Sequence, residues 1–199
     1  MHGLHTYRTT PILMLAILQL SMLLLILLCT GRPAASAPLP NSLLLGGGVS
    51  HVGLGSTDVD VQTLDLIPRW QFPRRVQKIG PLALEHSFLL ETPVSQIRRP
   101  VHDLMLGLNF LACWRWQPTD AATAPSPYVA LGGGPLYTAA DIPGLGAELN
   151  GSWQIVLGVQ LPGTQALAIE YRYHHISNGG RKDPNHAINS SKLLLGMHF

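Results

Sequence analysis

The sequence predicts an all-β protein, an eight-stranded antiparallel transmembrane β-barrel that follows a targeting segment. Charged residues make up only 12% of the chain, well below the share of about 25% that is usual in soluble domains. The 20 glycines and 16 prolines are spread along the sequence, which is typical of short strands and turns. The last residue is Phe199, and apolar residues precede it at every second position, a pattern typical of outer-membrane barrels.

The first 36 residues have the features of a secretory signal peptide. A weakly basic start is followed by a long apolar run and then by small residues. Cleavage after Ser36 would leave residues 37–199 as the outer-membrane β-barrel. Two alternatives stay open. One is a retained anchor, because the apolar run approaches the length of a membrane helix, and the other is a lipoprotein attached at Cys29, although the residue before that cysteine is large.

The expected mature chain carries almost no net charge. The prefix holds Arg8 and Arg32 and no acidic residue, so 13 − 2 = 11 basic residues remain beside 11 acidic ones. This balance gives no indication of nucleic-acid binding. Cys113 is the one cysteine after the prefix, which excludes an intrachain disulfide, and we expect it to be a small apolar side chain on a strand.

The first half of the barrel is predicted from four extended segments. Residues 42–55 contain three successive glycines that make the strand pliable. In the segment 59–70, the side chains at every second position from Val59 to Asp65 would share one face of the strand. Residues 81–91 include the run LALEHSFLL. Residues 102–116 end in two tryptophans of one parity. The Arg74-Arg75 and Arg98-Arg99 pairs are expected in turns between segments, near lipid phosphates or in water.

The second half of the barrel is predicted from four further segments. Residues 127–139 contain another run of three glycines, and a Gly/Asp/Pro-rich loop separates them from 152–161. A tight Pro-Gly turn then leads to 165–175, and 189–199 form the last strand. Eight segments of about ten residues are the minimum for an outer-membrane barrel.

Closure into a ring would remove the sheet edges that lipid cannot satisfy. Aromatic residues near the strand ends are candidates for the interfacial girdles of such a barrel. They are Trp70, Phe72, Trp114, Trp116, Tyr128, Tyr137, Trp153, Tyr171 and Tyr173. A soluble lipocalin-like barrel is the alternative, and the C-terminal pattern favours the membrane.

The last two strands contain the residues that suggest chemistry. Leu167, Ile169, Tyr171 and Tyr173 have one parity and would face lipid, so His175 and Ser177 would face outward as well. The short Pro-Gly turn places this pair at the opposite, longer-looped end of the barrel, at the depth of lipid ester bonds. A polar cap at a strand end is the simpler interpretation of such a pair.

A serine beside a histidine also suits ester hydrolysis. The hydroxyl becomes a nucleophile when an imidazole accepts its proton, and a third group normally orients that imidazole. The oxyanion that forms needs hydrogen-bond donors. Asn178, Asn185 and the backbone amides of Gly179 and Gly180 are candidates for this support.

His175, Ser177, Asn178 and Asn185 together resemble the signature of the PagL family, the outer-membrane lipid A 3-O-deacylases. In that family a His-x-Ser-Asn motif is followed by a second Asn seven residues after the first, and by a last strand that ends in Phe. The resemblance implies that Ser177 is the nucleophile, that His175 is the general base, and that Asn178, Gly180 and Asn185 support the oxyanion. The implied substrate is lipopolysaccharide, from which the ester-linked 3-hydroxyacyl chain at position 3 of lipid A is removed.

One position departs from the family pattern. Fourteen residues after the histidine, where characterised members carry an acid, this chain has Asn189. Its parity matches that of Phe199, so it should face outward beside His175 as an atypical third member of the catalytic set. An amide can accept a hydrogen bond from the imidazole but offers no negative charge. We therefore expect weaker activity or help from another carboxylate such as Asp183.

The remaining polar residues suggest no further site. His174 has the parity of Glu170 and is expected in a polar network of the lumen. His186 and His198 lack metal-ligand spacing, so neither a metal nor a cofactor is expected. The remaining acidic residues are expected as lumen or rim charges, and they are Asp65, Glu85, Asp103 and Glu148.

The function predicted from the sequence is a lipid A esterase in the outer membrane of a Gram-negative bacterium. Its partners would be lipopolysaccharide and membrane lipids, and a homodimer is left open. Two alternatives remain: a catalytically silent structural or lipid-binding barrel, in which Asn189 marks a lost triad, and a soluble periplasmic barrel that binds an apolar ligand.

Overall fold

The computed structural model describes residues 39–55, 59–72, 75–79, 82–118, 124–162 and 167–199. The predicted signal peptide over residues 1–36, with Cys29, lies outside this part of the chain. The stretch from Pro40 to Phe199 forms one compact unit. Among the described residues, no helix is long and apolar enough to cross a bilayer.

Eight antiparallel strands build the fold, and three of them are interrupted by a short break. The strands are β1 (Ser42–His51), β2 (Gln62–Gln71 and Arg75–Ile79), β3 (Leu82–Glu91 and Val94–Arg99), β4 (Asp103–Gly107 and Asn109–Gln117), β5 (Ser126–Thr138), β6 (Leu149–Gln160), β7 (Leu167–Ser177) and β8 (Ile188–His198). Each strand pairs with its neighbours in sequence, and β8 pairs with β1. The sheet is therefore a closed barrel, as the sequence predicted.

The eight predicted segments correspond to the eight strands, but the turn positions predicted for Arg75, Arg98 and Arg99 were wrong. Arg98 and Arg99 lie in the second part of β3, and Arg75 begins the second part of β2, whereas Arg74 falls outside the described residues. The strand β3 continues past Pro93 because the carbonyl of this proline still accepts a hydrogen bond from the amide of Gly107, at 2.9 Å.

The hydrogen-bonded pairing between β2 and β3 also continues on both sides of the break in β2. The amide of Phe72 donates to the carbonyl of Phe88 at 2.9 Å, and the second part of β2 goes on pairing with β3 in a register shifted by one residue, from Gln71 opposite Leu89 to Arg75 opposite His86. Proline removes a donor but not the acceptor, and its neighbours continue the pairing. Pro93 therefore marks an interruption of a strand, whereas Pro68, Pro127 and Pro135 lie within uninterrupted stretches of strand.

A network of four charged side chains fills the middle of the lumen. The carboxylate of Glu170 accepts hydrogen bonds from Arg172 at 2.5 Å, from Arg69 at 2.6 Å and from the Tyr128 hydroxyl at 2.6 Å. Glu91 pairs with Arg69 at 2.7 Å and with Arg172 at 2.8 Å. All four charges are buried, and the two positive and two negative groups balance.

A second polar group lies beside this network. Lys192 donates to Asp65 at 2.7 Å, and Ser95 and Thr63 also donate to the same carboxylate. Both Asp65 and Glu85 are buried inside the barrel, as predicted, and Asp103 and Glu148 lie at its rim. The predicted inward orientation of His174 is confirmed, because its side chain is only 5% exposed.

Apolar side chains close the lumen at the end where the longer loops lie, here called the loop end. Residues 52–55 and 59–61 lie at this end, as do the connections over residues 100–102, 139–148 and 178–187. A buried cluster packs there, consisting of Val61, Ile97, Met105, Leu136, Ile142, Leu145, Ile176 and Ile188. Deeper in the barrel, Cys113 is buried among Leu89, Leu111 and Tyr128 as the small apolar side chain that was expected.

The outer wall is apolar. Every second side chain of the strands points outward, and these side chains include many large exposed hydrophobic ones. Examples from five strands are Leu45, Leu66, Phe110, Leu157, Leu193 and Leu195. Charges inside and hydrophobic residues outside are the inverse of a soluble barrel and typical of a barrel surrounded by lipid.

The charge network generates a test of stability. Arg172→Met would leave Glu91 and Glu170 with one counter-ion fewer in the lumen, so we expect a loss of about 3 kcal/mol or more in the free energy of unfolding. The matched control is Arg99→Met, because Arg99 and Asp60 form an exposed pair with 64% and 54% of their side chains accessible. That change should cost less than about 1 kcal/mol. Urea unfolding in lipid vesicles measures both, and equal losses would contradict this account.

Candidate active site

Strand β7 presents His175 and Ser177 on the outer wall at the loop end. Their neighbours along the chain, His174 and Ile176, are buried in the lumen, whereas His175 and Ser177 are each half-buried. Ser177 is the last residue of the strand and lies opposite Gly151 of β6. The predicted orientation of the pair is confirmed.

Four strands bring their side chains into one row across this wall. His175 of β7 lies opposite Trp153 of β6 on one side and opposite Asn189 of β8 on the other. His51 of β1 lies opposite Asn189 in turn. The row therefore runs Trp153, His175, Asn189, His51, in adjacent strands of the barrel.

Asn189 holds the imidazole of His175 through a short hydrogen bond. The Nδ1 atom of His175 lies 2.8 Å from Oδ1 of Asn189, and the Tyr173 hydroxyl donates to the same oxygen at 2.7 Å. Nδ2 of Asn189 donates to the carbonyl of Leu54 at 3.1 Å. The predicted proximity of Asn189 to His175 is thus present, and the amide is completely buried.

These contacts determine the tautomer of His175. A carbonyl can only accept a hydrogen bond, so the atom of Asn189 that faces Leu54 must be the amide nitrogen. The oxygen then faces His175, and it also can only accept, so Nδ1 carries a proton and donates it. In the neutral ring the lone pair is consequently on Nε2, as a general base requires.

Aromatic rings cover the imidazole on its other side. The indole of Trp153 stacks on His175 with ring centroids 5.1 Å apart and an angle of 23° between the planes. Tyr173 packs against Trp153 at 5.4 Å and against His51 at 5.7 Å. His175 is therefore fixed between a ring face and an amide oxygen.

The loop after Ser177 is folded by its two asparagines. The amide of Asn178 donates to Oδ1 of Asn185 at 2.9 Å, and Nδ2 of Asn178 donates to the carbonyls of Lys182 at 2.6 Å and Pro184 at 3.3 Å. The side-chain donors of Asn178 are thus used inside the loop. Asn178 and Asn185 lie where they support the loop that follows the serine.

The backbone amides of the two glycines remain candidates for an oxyanion site. Gly179 and Gly180 have φ angles of +66° and +74°, a left-handed conformation that favours glycine. Both are exposed and donate to no other described residue. Two such amides, two and three residues after Ser177, are suitable donors to a developing negative charge.

Neighbouring elements hold this loop in place. Arg181 donates through Nε to the carbonyl of Asn178 at 2.9 Å and through Nη2 to the carbonyl of Leu149 at 2.8 Å. The amide of Gly146 donates to the carbonyl of Pro184 at 2.8 Å. The loop from β5 to β6 therefore braces the loop that carries the candidate donors.

Other residues considered in the sequence do not join the site. The exposed Asp183 forms no ion pair with His175 in the described part of the chain, and His198 bonds to Ser42 at the opposite end of the barrel. The described residues contain no cluster of three or more histidine, cysteine or acidic side chains that could hold a metal. No role in the site could be assigned to Trp153, Leu54 or His51 from the sequence, because strand register brings Trp153 and His51 there and a loop path brings Leu54.

The site and the fold define a class: a membrane β-barrel with a serine and a histidine on its outer wall, at the end of a lipid-facing strand. The model of the lipid A 3-O-deacylase (PagL) family matches residues 66–198. The chain belongs to this family. No curated protein is similar enough in sequence to count as a match.

A solved structure shows the same fold. The crystal structure of "the outer membrane enzyme PagL" aligns with a TM-score of 0.59 and 18% sequence identity. The alignment covers 78% of this chain and 99% of the other. This likeness confirms the predicted eight-stranded antiparallel barrel fold.

The loop contacts generate a second prediction. Asn185→Ala removes the acceptor of the Asn178 amide, so we expect the backbone of residues 178–187 to exchange its amide hydrogens about tenfold faster, as for the loss of one hydrogen bond. Hydrogen-exchange mass spectrometry measures this. Lys182→Ala is the control, since only the carbonyl of Lys182 contributes to the loop. Equal exchange in the two variants would show that Asn185 does not hold the loop.

Proposed function

We propose that this protein is an outer-membrane serine esterase that removes the ester-linked 3-hydroxyacyl chain at position 3 of lipid A. In this proposal Ser177 is the nucleophile and His175 is the general base. Asn189 orients the base, and the loop with Asn178, Gly180 and Asn185 supports the oxyanion. Membership of the lipid A 3-O-deacylase family supports the substrate class.

The observation that carries the proposal is the hydrogen bond from Nδ1 of His175 to Asn189. It leaves the lone pair on Nε2, and the serine two residues further along the same outward face is the group to be activated. Nε2 takes the proton of the Ser177 hydroxyl while Oγ attacks the ester carbonyl. His175 then returns this proton to the departing sugar oxygen, and an acyl-enzyme remains on Ser177.

Water completes the cycle. His175 removes a proton from a water molecule, the resulting hydroxide attacks the acyl-enzyme, and the fatty acid leaves as Ser177 regains its proton. In both halves of the reaction, negative charge develops on the carbonyl oxygen. The amides of Gly179 and Gly180 are the proposed donors to this oxygen, since neither is used by another described residue.

The position of the site suits a lipid substrate. Ser177 and His175 lie on the outer wall at the loop end, above outward-facing Tyr171 and Ile169. An ester of a membrane lipid would reach this position without leaving the bilayer. A lumen site would require the lipid to cross the wall and the buried charge network.

A catalytically silent barrel is the second candidate, and Asn189 favours it. The neutral amide gives the imidazolium no counter-charge, and no carboxylate forms an ion pair with His175 within the described residues. Such a protein would keep the fold and bind lipid without hydrolysing it. Activity separates the two candidates.

The first test is mass spectrometry of lipid A from bacteria that express the protein. We expect wild type to remove one 3-hydroxyacyl chain and Ser177→Ala to leave lipid A unchanged, because the nucleophile is missing. Ser191→Ala, an outward-facing serine of β8, is the control and should retain activity. Heat-modifiable gel migration verifies that each barrel is folded. Unchanged lipid A with folded wild type would favour the silent barrel.

A second test changes the charge beside His175. Asn189→Glu should raise kcat about fivefold, because a charged acceptor stabilises the imidazolium more than a neutral one. Asn189→Gln has the same length without the charge and should show no gain. Purified protein in detergent micelles with lipid A as substrate provides the rates. If the glutamate and glutamine variants had equal kcat, the orienting role of position 189 would be doubtful.

A further inference from the structure

The proposed reaction produces an imidazolium beside which the described residues place no carboxylate. The described groups packed around His175 are the Asn189 amide on β8, the Trp153 indole on β6 and Tyr173 on its own strand, with His51 of β1 behind Tyr173. None of these carries a negative charge while Tyr173 keeps its hydroxyl proton. Another feature of the site must therefore compensate for the positive charge that forms in the transition state.

The geometry of Trp153 fits this requirement. Its ring centroid lies 5.1 Å from that of the imidazole, and the planes are 23° from parallel. The face of an aromatic ring carries partial negative charge and attracts a cation within about 6 Å, and the indole is the strongest of the natural rings in this respect. A stacked imidazolium therefore lies where the attraction operates.

We propose that Trp153 is a positioning residue whose ring face stabilises the His175 imidazolium, in a site where the neutral Asn189 takes the position of an acid. This inference rests on the proposed function, because the imidazolium forms only if His175 acts as the base. Asn189 orients the imidazole from one side, and Trp153 supplies the electrostatic attraction from the other.

The surroundings strengthen the interaction. Trp153 is 38% exposed, on a wall whose exposed side chains are largely apolar. A cation–π contact that is partly removed from water is stronger than one in solvent. Tyr173 packs against Trp153 at 5.4 Å and, through its hydroxyl, binds Asn189, so one residue contacts both partners of the imidazole. The register of β6 and β7 thus fixes the stack.

The test is a double-mutant cycle between Trp153 and Asn189, measured as kcat and KM on lipid A in detergent micelles. Trp153→Leu keeps an apolar cover but removes the ring, and we expect kcat to fall about threefold to thirtyfold with little change in KM. Trp153→Phe should fall between wild type and Trp153→Leu. Trp116→Leu, which removes an outward-facing tryptophan with the same 38% exposure, is the control and should keep wild-type kcat.

The cycle separates electrostatics from packing. With Asn189→Glu present, the carboxylate supplies the counter-charge, so the loss of kcat caused by Trp153→Leu should shrink to less than half on a logarithmic scale. An equal loss in both backgrounds would overturn the proposal and leave Trp153 a packing role alone. A rise in KM with unchanged kcat would overturn it as well.

A spectroscopic measurement tests the stack without catalysis. Protonated histidine quenches the fluorescence of a stacked indole, so the emission of wild type should fall on acidification more than that of His175→Asn. Identical titrations would overturn the proposal. Inactive wild-type protein that shows this quenching would instead refute the proposed esterase and leave the stacking of the two rings established.

Discussion

The ion network in the lumen determines which residues of β7 face outward. Glu170 and Arg172 bind Arg69 of β2 and Glu91 of β3, and these four side chains are buried. Successive side chains of a strand point to opposite faces, so the inward position of Glu170 and Arg172 places His175 and Ser177 on the outer wall. A shift of one residue would move both charges into the apolar surroundings, which is energetically prohibitive.

Most of the fold could be predicted because alternation is a local property of the sequence. The runs of one parity from Leu167 to Ser177 and from Asn189 to Phe199 indicate an apolar outer face, and the structure has this face. The continuation of β3 through residues 94–99 could not be predicted in this way. Whether the carbonyl of Pro93 still has a partner depends on Gly107, and such pairing is a property of the assembled sheet.

In the candidate site, too, some residues could be predicted from the sequence and others could not. His175, Ser177 and Asn189 could be selected from residue types, spacing and parity, and the structure brings His175 and Asn189 within 2.8 Å. The Trp153 stack and the Leu54 carbonyl could not be selected, because each depends on a strand register or on a loop path. A sequence motif defines which groups react, whereas the neighbours that orient them come from other strands.

The asparagine at position 189 is consistent with its burial. An ionised carboxylate with no exposed surface would lose its hydration and would need charged partners to compensate. The carbonyl of Leu54 accepts a hydrogen bond from the amide at 3.1 Å, and a carboxylate would leave this carbonyl without its donor, so a charge here would lower folding stability even where it assists an imidazolium. The amide instead satisfies His175, Tyr173 and Leu54 without any charge in the resting state. Under the proposed mechanism, the chain would keep the orientation of the base in a stable ground state and leave the transient positive charge to be stabilised by a neighbour that need not be ionised.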